Sequence, residues 1–256
     1  MKFVVVGDPV EHSRSPAIHN AAFDALGIDA EFGFMSVPFD EFNRVIDALR
    51  SGALDGVSVT MPHKHNAFEA ADELSREVSR TGAVNTLITV GGRLVGHNTD
   101  VAGVLYAFHA VDADAGSPIL LLGNGGAAAG ALLAVEGREI FLSGRDDTKA
   151  RALASRVGVE VEVLPWATAV PMATVINATP LGMAGEYLPD GVVERAGALV
   201  DMTYGHRRSP AIVHALALGL PTADGLTMLV GQAAGAFELF TGQRAPLMTM
   251  EQAARH

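Results

Sequence analysis

Along the first hundred residues, short apolar runs alternate with stretches in which apolar residues recur every three or four positions. Residues 1–6 form a short apolar run that stops at Gly7-Asp8, which predicts a buried first strand over 2–6. A Gly-Pro-Ser loop over 7–16 leads into a helix over 17–26, with Ile18, Ala21, Ala22, Ala25 and Leu26 at helical spacing. Residues 30–37 read as a second strand, and 39–50 as a helix whose Phe42, Val45, Ile46 and Leu49 make one stripe. Residues 57–61 alternate as a strand does and end at Pro62. Strands alternating with helices predict an α/β sheet rather than a bundle or a sandwich.

The pattern then restarts. A helix over 102–110 and a polar linker over 112–118 precede a strand over 118–122, which runs straight into Gly123-Asn124-Gly125-Gly126-Ala127-Ala128 and a small-residue helix reaching Glu136. Strands over 139–142, 159–164, 174–177 and 198–202, with a helix over 148–157, continue a Rossmann-like half. After Asp224-Gly225 the chain turns helical again, with Met228, Leu229, Ala233, Ala236, Phe237 and Phe240 on an apolar stripe. There is no internal repeat at solenoid periods.

Composition narrows the chemistry. The 256 residues hold no cysteine, which excludes a disulfide framework, a thiolate nucleophile and a cysteine-ligated metal. With 18 Lys and Arg against 29 Asp and Glu, nucleic acid is not an expected partner, and any anionic ligand must be held by a few placed cations and backbone amides. The first apolar run is too short for a signal-peptide core, and later ones break before the roughly 20 residues of a membrane span, so the expectation is a soluble cytoplasmic protein.

Gly123, Gly125 and Ala128 fit G-x-G-x-x-A between a strand and a helix, the context in which glycines let a pyrophosphate approach a helix N-terminus. The next strand ends Ser143-Gly144-Arg145, and Arg145 with Lys149 one turn on favours NADP over NAD; Asp146 and Asp147 beside them either repel a 2′-phosphate or cap the following helix. Two hydroxyls, Ser13 and Ser15, lie in His12-Ser13-Arg14-Ser15-Pro16, where Ser15 could equally be a helix cap. Thr60 and Lys64 follow one strand, Asn85 begins another, and Asp100 follows a third. Strand ends on one sheet edge collect ligands, and a Lys and Asp pair among hydroxyls and amides suits the proton transfer that accompanies hydride movement. His63, His65, His97, His206 and His214 lack metal-like spacing, Trp166 suits packing, and no metal is expected.

Eight segments, in order, resemble the shikimate dehydrogenases (the shikimate/quinate dehydrogenase family): His12 to Pro16, Ser58 to Lys64, Gly82 to Thr86, Asn98 to Asp100, Gly123 to Ala127, Asn177 to Met183, Asp201 to Tyr204 and Asp224 to Ala233. The resemblance implies two α/β domains, a substrate domain over 1–99 joined by a returning C-terminal helix over 226–256, and a Rossmann-like NADP-binding domain over 100–225. It implies reversible, NADPH-dependent reduction of 3-dehydroshikimate to shikimate on the route to aromatic amino acids, by a monomer or homodimer. Ser13 and Ser15 would hold the substrate carboxylate with Tyr204 nearby, and Thr60, Asn85, Lys64, Asp100 and Gln232 would meet the ring hydroxyls, with Lys64 and Asp100 as the catalytic pair. The loop of Gly123, Asn124, Gly125, Gly126 and Ala127 would cradle the pyrophosphate, Arg145 and Lys149 the 2′-phosphate, and Thr179, Met202 and Gly225 the nicotinamide half.

Departures from the family pattern are informative. Its Asn-Arg-Thr at the adenosine phosphate site is Gly144-Arg145-Asp146 here, an Arg of the glycine-loop helix is Ala129, and a proline after the tyrosine is replaced around Gly205-His206. The alternatives are a quinate or dual quinate/shikimate dehydrogenase, a use of NAD, and a catalytically silent NADP-binding regulator; a folate-linked dehydrogenase of similar plan lacks the paired serines and Gln232.

Overall fold

The structure, a computed structural model, describes residues 1–111, 116–205 and 207–256, so most of the linker expected over 112–118, and His206, lie outside the described residues. Two compact units are present, Met1–Thr99 with Leu229–His256, and Asp100–Met228.

The first unit runs β1 (Lys2–Gly7), α1 (Ser15–Leu26), β2 (Glu31–Ser36), α2 (Asn43–Arg50), β3 (Gly56–Val59), α3 (Lys64–Ala70), β4 (Glu73–Leu74), α4 (Arg76–Thr81), β5 (Thr86–Val90) and β6 (Arg93–His97). Its sheet has the order β2-β1-β3-β5-β6-β4. Strands β2, β1 and β3 are parallel, whereas β5 runs antiparallel to β3 and to β6. α1 begins at Ser15 rather than at 17, because Pro16 fits the first turn, where no amide is needed. The helix expected over 39–50 is split: Phe39–Glu41 is a 3₁₀ turn in which the Pro38 carbonyl accepts from the Glu41 amide, and the α-helix starts at Asn43. Its stripe of Phe42, Val45, Ile46 and Leu49 is buried as the spacing predicts.

The second unit contains α5 (Asp100–Ala110), β7 (Ile119–Leu122), α6 (Gly126–Ala134), β8 (Ile140–Ser143), α7 (Asp147–Val157), β9 (Glu162–Leu164), β10 (Thr174–Asn177), β11 (Ala198–Asp201), α8 (Pro210–Ala217) and β12 (Thr222–Ala223). All its strand pairs are parallel, in the order β12-β11-β10-β7-β8-β9. This is the doubly wound order with its topological switch beside β7. Ile119 and Leu121 enter one core and Leu120 and Leu122 the other, which is why this strand is apolar at every position instead of alternating. α9 (Gly225–Thr241) begins in this unit, and its later part belongs to the first, as does α10 (Leu247–Arg255). There Phe237 and Phe240 join Phe3, Phe23 and Phe32 in an aromatic core, with Phe3 stacked on Phe240 at 4.6 Å.

Candidate active site

In the first unit, several of the expected residues gather at one sheet edge. Thr60 directly follows β3, and its amide donates to the Val6 carbonyl of β1 at 2.9 Å. Two residues after Pro62, Lys64 opens α3, and its carbonyl accepts from the Val84 amide. Asn85 precedes β5, and its backbone bridges two strand ends: its carbonyl accepts from Val59 at 2.6 Å and its amide donates to His97 at 3.0 Å. Because β5 is antiparallel to β3, with Thr86 opposite Ser58, the start of one strand lies beside the end of the other. Ser13 is in the loop after β1, and Ser15, buried, is the first residue of α1. The Ser13 hydroxyl accepts from the Ser15 amide at 3.2 Å, so the pair is locally tied and Ser15 is not the helix cap. Gln232, half-buried, stands on α9.

The side chain of Asn85 is oriented by partners that the sequence does not single out. Its Oδ1 accepts from the Thr99 amide at 2.8 Å, the Thr99 hydroxyl at 3.2 Å and the Thr86 hydroxyl at 3.0 Å. All three residues are buried. A carbonyl oxygen taken up by three donors cannot exchange places with the amide nitrogen, so the orientation of the Asn85 amide is fixed. The motif Asn98-Thr99-Asp100 carries the signal, but only the fold reveals that its threonine serves Asn85. His63, in the same motif as Lys64, is fully buried against Phe42 and donates from Nε2 to the Val37 carbonyl at 2.7 Å; it is a packing residue.

In the second unit, the expected nucleotide residues sit at the C-terminal ends of parallel strands. Gly123 directly follows β7 at φ 118°, and a Cβ there would stand 2.8 Å from the Ala178 carbonyl oxygen, so only glycine lets the two strand ends approach. Gly125 and Gly126 have nothing within 4 Å of an added Cβ. The loop is therefore open towards solvent, and the first amides of α6 lack intrahelical partners, so an anionic pyrophosphate fits here. Asn124 and Ala127 flank these glycines, and Arg145 and Lys149, both exposed, flank the β8 to α7 turn. Asp100, buried, is the first residue of α5, and Gly130 of α6 packs against it, where a Cβ would be 3.2 Å from the Asp100 Cβ.

Thr179 and Met202 follow β10 and β11, and one buried carboxylate ties their loops together. Asp201, with no exposed surface, accepts from Asn177 Nδ2 at 2.9 Å, from the Thr203 amide at 3.0 Å, from the Thr203 hydroxyl at 2.9 Å and from the Ser209 hydroxyl. Asn177 Oδ1 in turn accepts from the Thr179 hydroxyl at 2.6 Å. Four hydrogen bonds from three residues converge on its two oxygens, so this aspartate is structural wiring for both loops. Tyr204 comes next but two in the chain, and burial raises its phenol above the ordinary value, keeping it a hydrogen-bond donor at neutral pH. Gly225, buried beside the Thr203 carbonyl, opens α9. Among the described residues no group of three acidic or histidine side chains could hold a metal, and no helix is long and apolar enough to cross a membrane.

Comparison with known proteins identifies the family of the chain. The shikimate dehydrogenase substrate binding domain matches residues 5–87, and the shikimate 5′-dehydrogenase C-terminal domain matches residues 225–255. A shikimate dehydrogenase (NADP(+)) of Desulfitobacterium hafniense is 33% identical, covering 98% of this chain and 96% of that protein. Another, of Thermus thermophilus, is 36% identical, covering 100% and 98%. The crystal structure of shikimate 5-dehydrogenase from Thermus thermophilus in complex with NADP(H) and shikimate superposes with a TM-score of 0.87 at 35% identity, covering 100% of this chain and 98% of that one. The family resemblance carried by the eight sequence segments is thus borne out over the full length, and the chain belongs to the shikimate dehydrogenase family.

Proposed function

We propose that this chain is an NADP-dependent shikimate dehydrogenase that reversibly reduces 3-dehydroshikimate to shikimate, acting as a monomer or homodimer in the cytoplasm on small molecules and not on nucleic acid. The observation that carries the reading is the set of Thr60, Lys64 and the oriented Asn85 amide at one sheet edge, in a chain whose full-length relatives bear that name. Ser13 and Ser15 bind the substrate carboxylate with Tyr204, while Thr60, Asn85 and Gln232 bind ring hydroxyls. Lys64 stabilises negative charge growing on the C3 oxygen, gives that oxygen its proton, and is reprotonated from solvent. Asp100, the second catalytic residue, accepts from a ring hydroxyl. The open glycine loop holds the pyrophosphate of the dinucleotide, with Thr179, Met202 and Gly225 along its nicotinamide half. Bound NADPH would supply the hydride.

The test is loss of reduced-nicotinamide absorbance with 3-dehydroshikimate or 3-dehydroquinate. Turnover should be fastest with NADPH and 3-dehydroshikimate. A preference for 3-dehydroquinate would move the chain to quinate dehydrogenation, and no turnover with intact dinucleotide binding would make it a silent regulator.

Thr99→Val supplies a finer check on Asn85. Losing one hydroxyl that fixes the amide should raise the substrate KM about three- to tenfold, the worth of one hydrogen bond, with kcat held within about twofold. Thr99→Ser should restore it. An unchanged KM would leave Thr99 as a packing residue.

A further inference from the structure

We propose that Asp146 holds down the preference of this site for NADP, so that the chain binds NAD as well; the inference rests on the dehydrogenase reading above. In a doubly wound sheet the tip of the strand after the glycine loop meets the adenosine ribose, here the turn from β8 into α7. Four exposed charged residues lie there, Arg145 and Lys149 against Asp146 and Asp147, so the side-chain charges cancel.

Asp146 is committed to this turn. Its Oδ1 accepts from the Lys149 amide at 3.1 Å, capping α7, and its Oδ2 lies 3.9 Å from Lys149 Nζ. One first-turn amide, and part of the charge of one of the two expected cations, are therefore already answered by a carboxylate. The backbone is held too: Asn124 of the glycine loop donates from Nδ2 to the Asp146 carbonyl at 3.2 Å. A Cβ at position 144 would stand 2.9 Å from that nitrogen, so Gly144 is what admits the Asn124 amide. A ribose 2′-phosphate brings nearly two negative charges to this neutral patch, but a ribose 2′-hydroxyl can donate to a carboxylate.

The experiment is calorimetric titration of the full chain with NADP+ and NAD+, for wild type and Asp146→Asn, since asparagine caps a helix as well as aspartate does. Wild type should bind both, with NADP+ no more than about tenfold tighter, and Asp146→Asn should tighten NADP+ about tenfold while leaving NAD+ unchanged or weaker. Salt is the second arm: the wild-type ratio of the two affinities should stay nearly flat from low to moderate salt, as a net-neutral patch requires. Unchanged NADP+ affinity in the variant, NAD+ binding too weak to detect beside firm NADP+ binding, or a ratio that falls steeply with salt overturns the assignment alone. Absence of binding to either dinucleotide overturns the dehydrogenase reading and this one with it.

Discussion

Lys64→Ala should lower turnover of 3-dehydroshikimate by about a hundred- to ten-thousandfold, the usual range for a group that moves a proton in the transition state, while substrate affinity falls far less. The reason is chemical. A carbonyl oxygen that receives charge as hydride arrives needs a proton at that moment, and Lys64 is the cation at the edge that also carries Thr60 and Asn85. Its backbone is anchored at the start of α3 and to Val84, so replacement by alanine should leave the fold intact and the melting temperature nearly unchanged. The kinetic split is the measurement: kcat and kcat/KM falling together at a KM within severalfold marks a group acting in the transition state. A loss expressed mainly in KM would reduce Lys64 to a binding residue and leave the proton without a source.

Much of this site is legible in the sequence because its residues sit where strands stop. Thr60 before a proline, Asn85 before a strand and Gly123 after an apolar run are all boundary signals, and boundaries at one edge of a sheet are where ligands bind. What stays hidden is the wiring between segments distant in the chain. Thr99 reads as an ordinary hydroxyl until β5 and β6 pair and bring it to Asn85 Oδ1. Asp201 reads as part of a motif until four donors are seen to converge on it. The sequence allows Asp146 either to repel a phosphate or to cap α7, and the cap is formed; its effect on a phosphate is the separate question that the titration answers.

The fold is legible in proportion to apolar periodicity. The strands of the second unit that the sequence predicts, short runs that are largely buried except for β9, lie within about three residues of their expected ends. The short helices of the first unit leave no comparable trace: α3 buries only Ala67 and α4 only Val78 and Thr81, too little to make a stripe. The sequence reading places a strand from Asn85 and another before Asp100 but not the turn that pairs them as β5 and β6, although Gly91-Gly92, both at positive φ, is a strong turn signal between alternating runs. α8 is absent from it too, despite a Ser209-Pro210 start whose serine accepts from the Ile212 amide at 3.2 Å, because it lies between two better-marked motifs.

Acid should loosen the first unit through His19, one turn after Ser15 on α1. The ring is completely buried, stacked on Phe32 at 4.1 Å and within 6.4 Å of Phe23, Phe237 and Phe240, and neither ring nitrogen has a hydrogen-bond partner. Burial lowers its pKa from 6.5 to about 3, because a charged imidazolium cannot be solvated among phenyl rings. Above pH 6.5 the folded and unfolded chains both hold a neutral ring and no penalty arises. As pH falls below that value, the unfolded chain gains a proton that the folded chain refuses until near pH 3, so stability drops across this window. At pH 5 the loss is about 2 kcal/mol, which for a chain of this size lowers the melting temperature by about 4 to 8 °C. His19→Leu removes both the titration and two unsatisfied nitrogens, so the variant should lose less of its melting temperature between pH 7.5 and pH 5 than the wild type by about that margin. Parallel pH profiles for the two proteins would show that the ring is protonated in place. The same experiment reaches function, since Ser15 rides on this helix: in the wild type, substrate affinity should weaken at acid pH before the whole chain unfolds, and in His19→Leu that early loss should be absent.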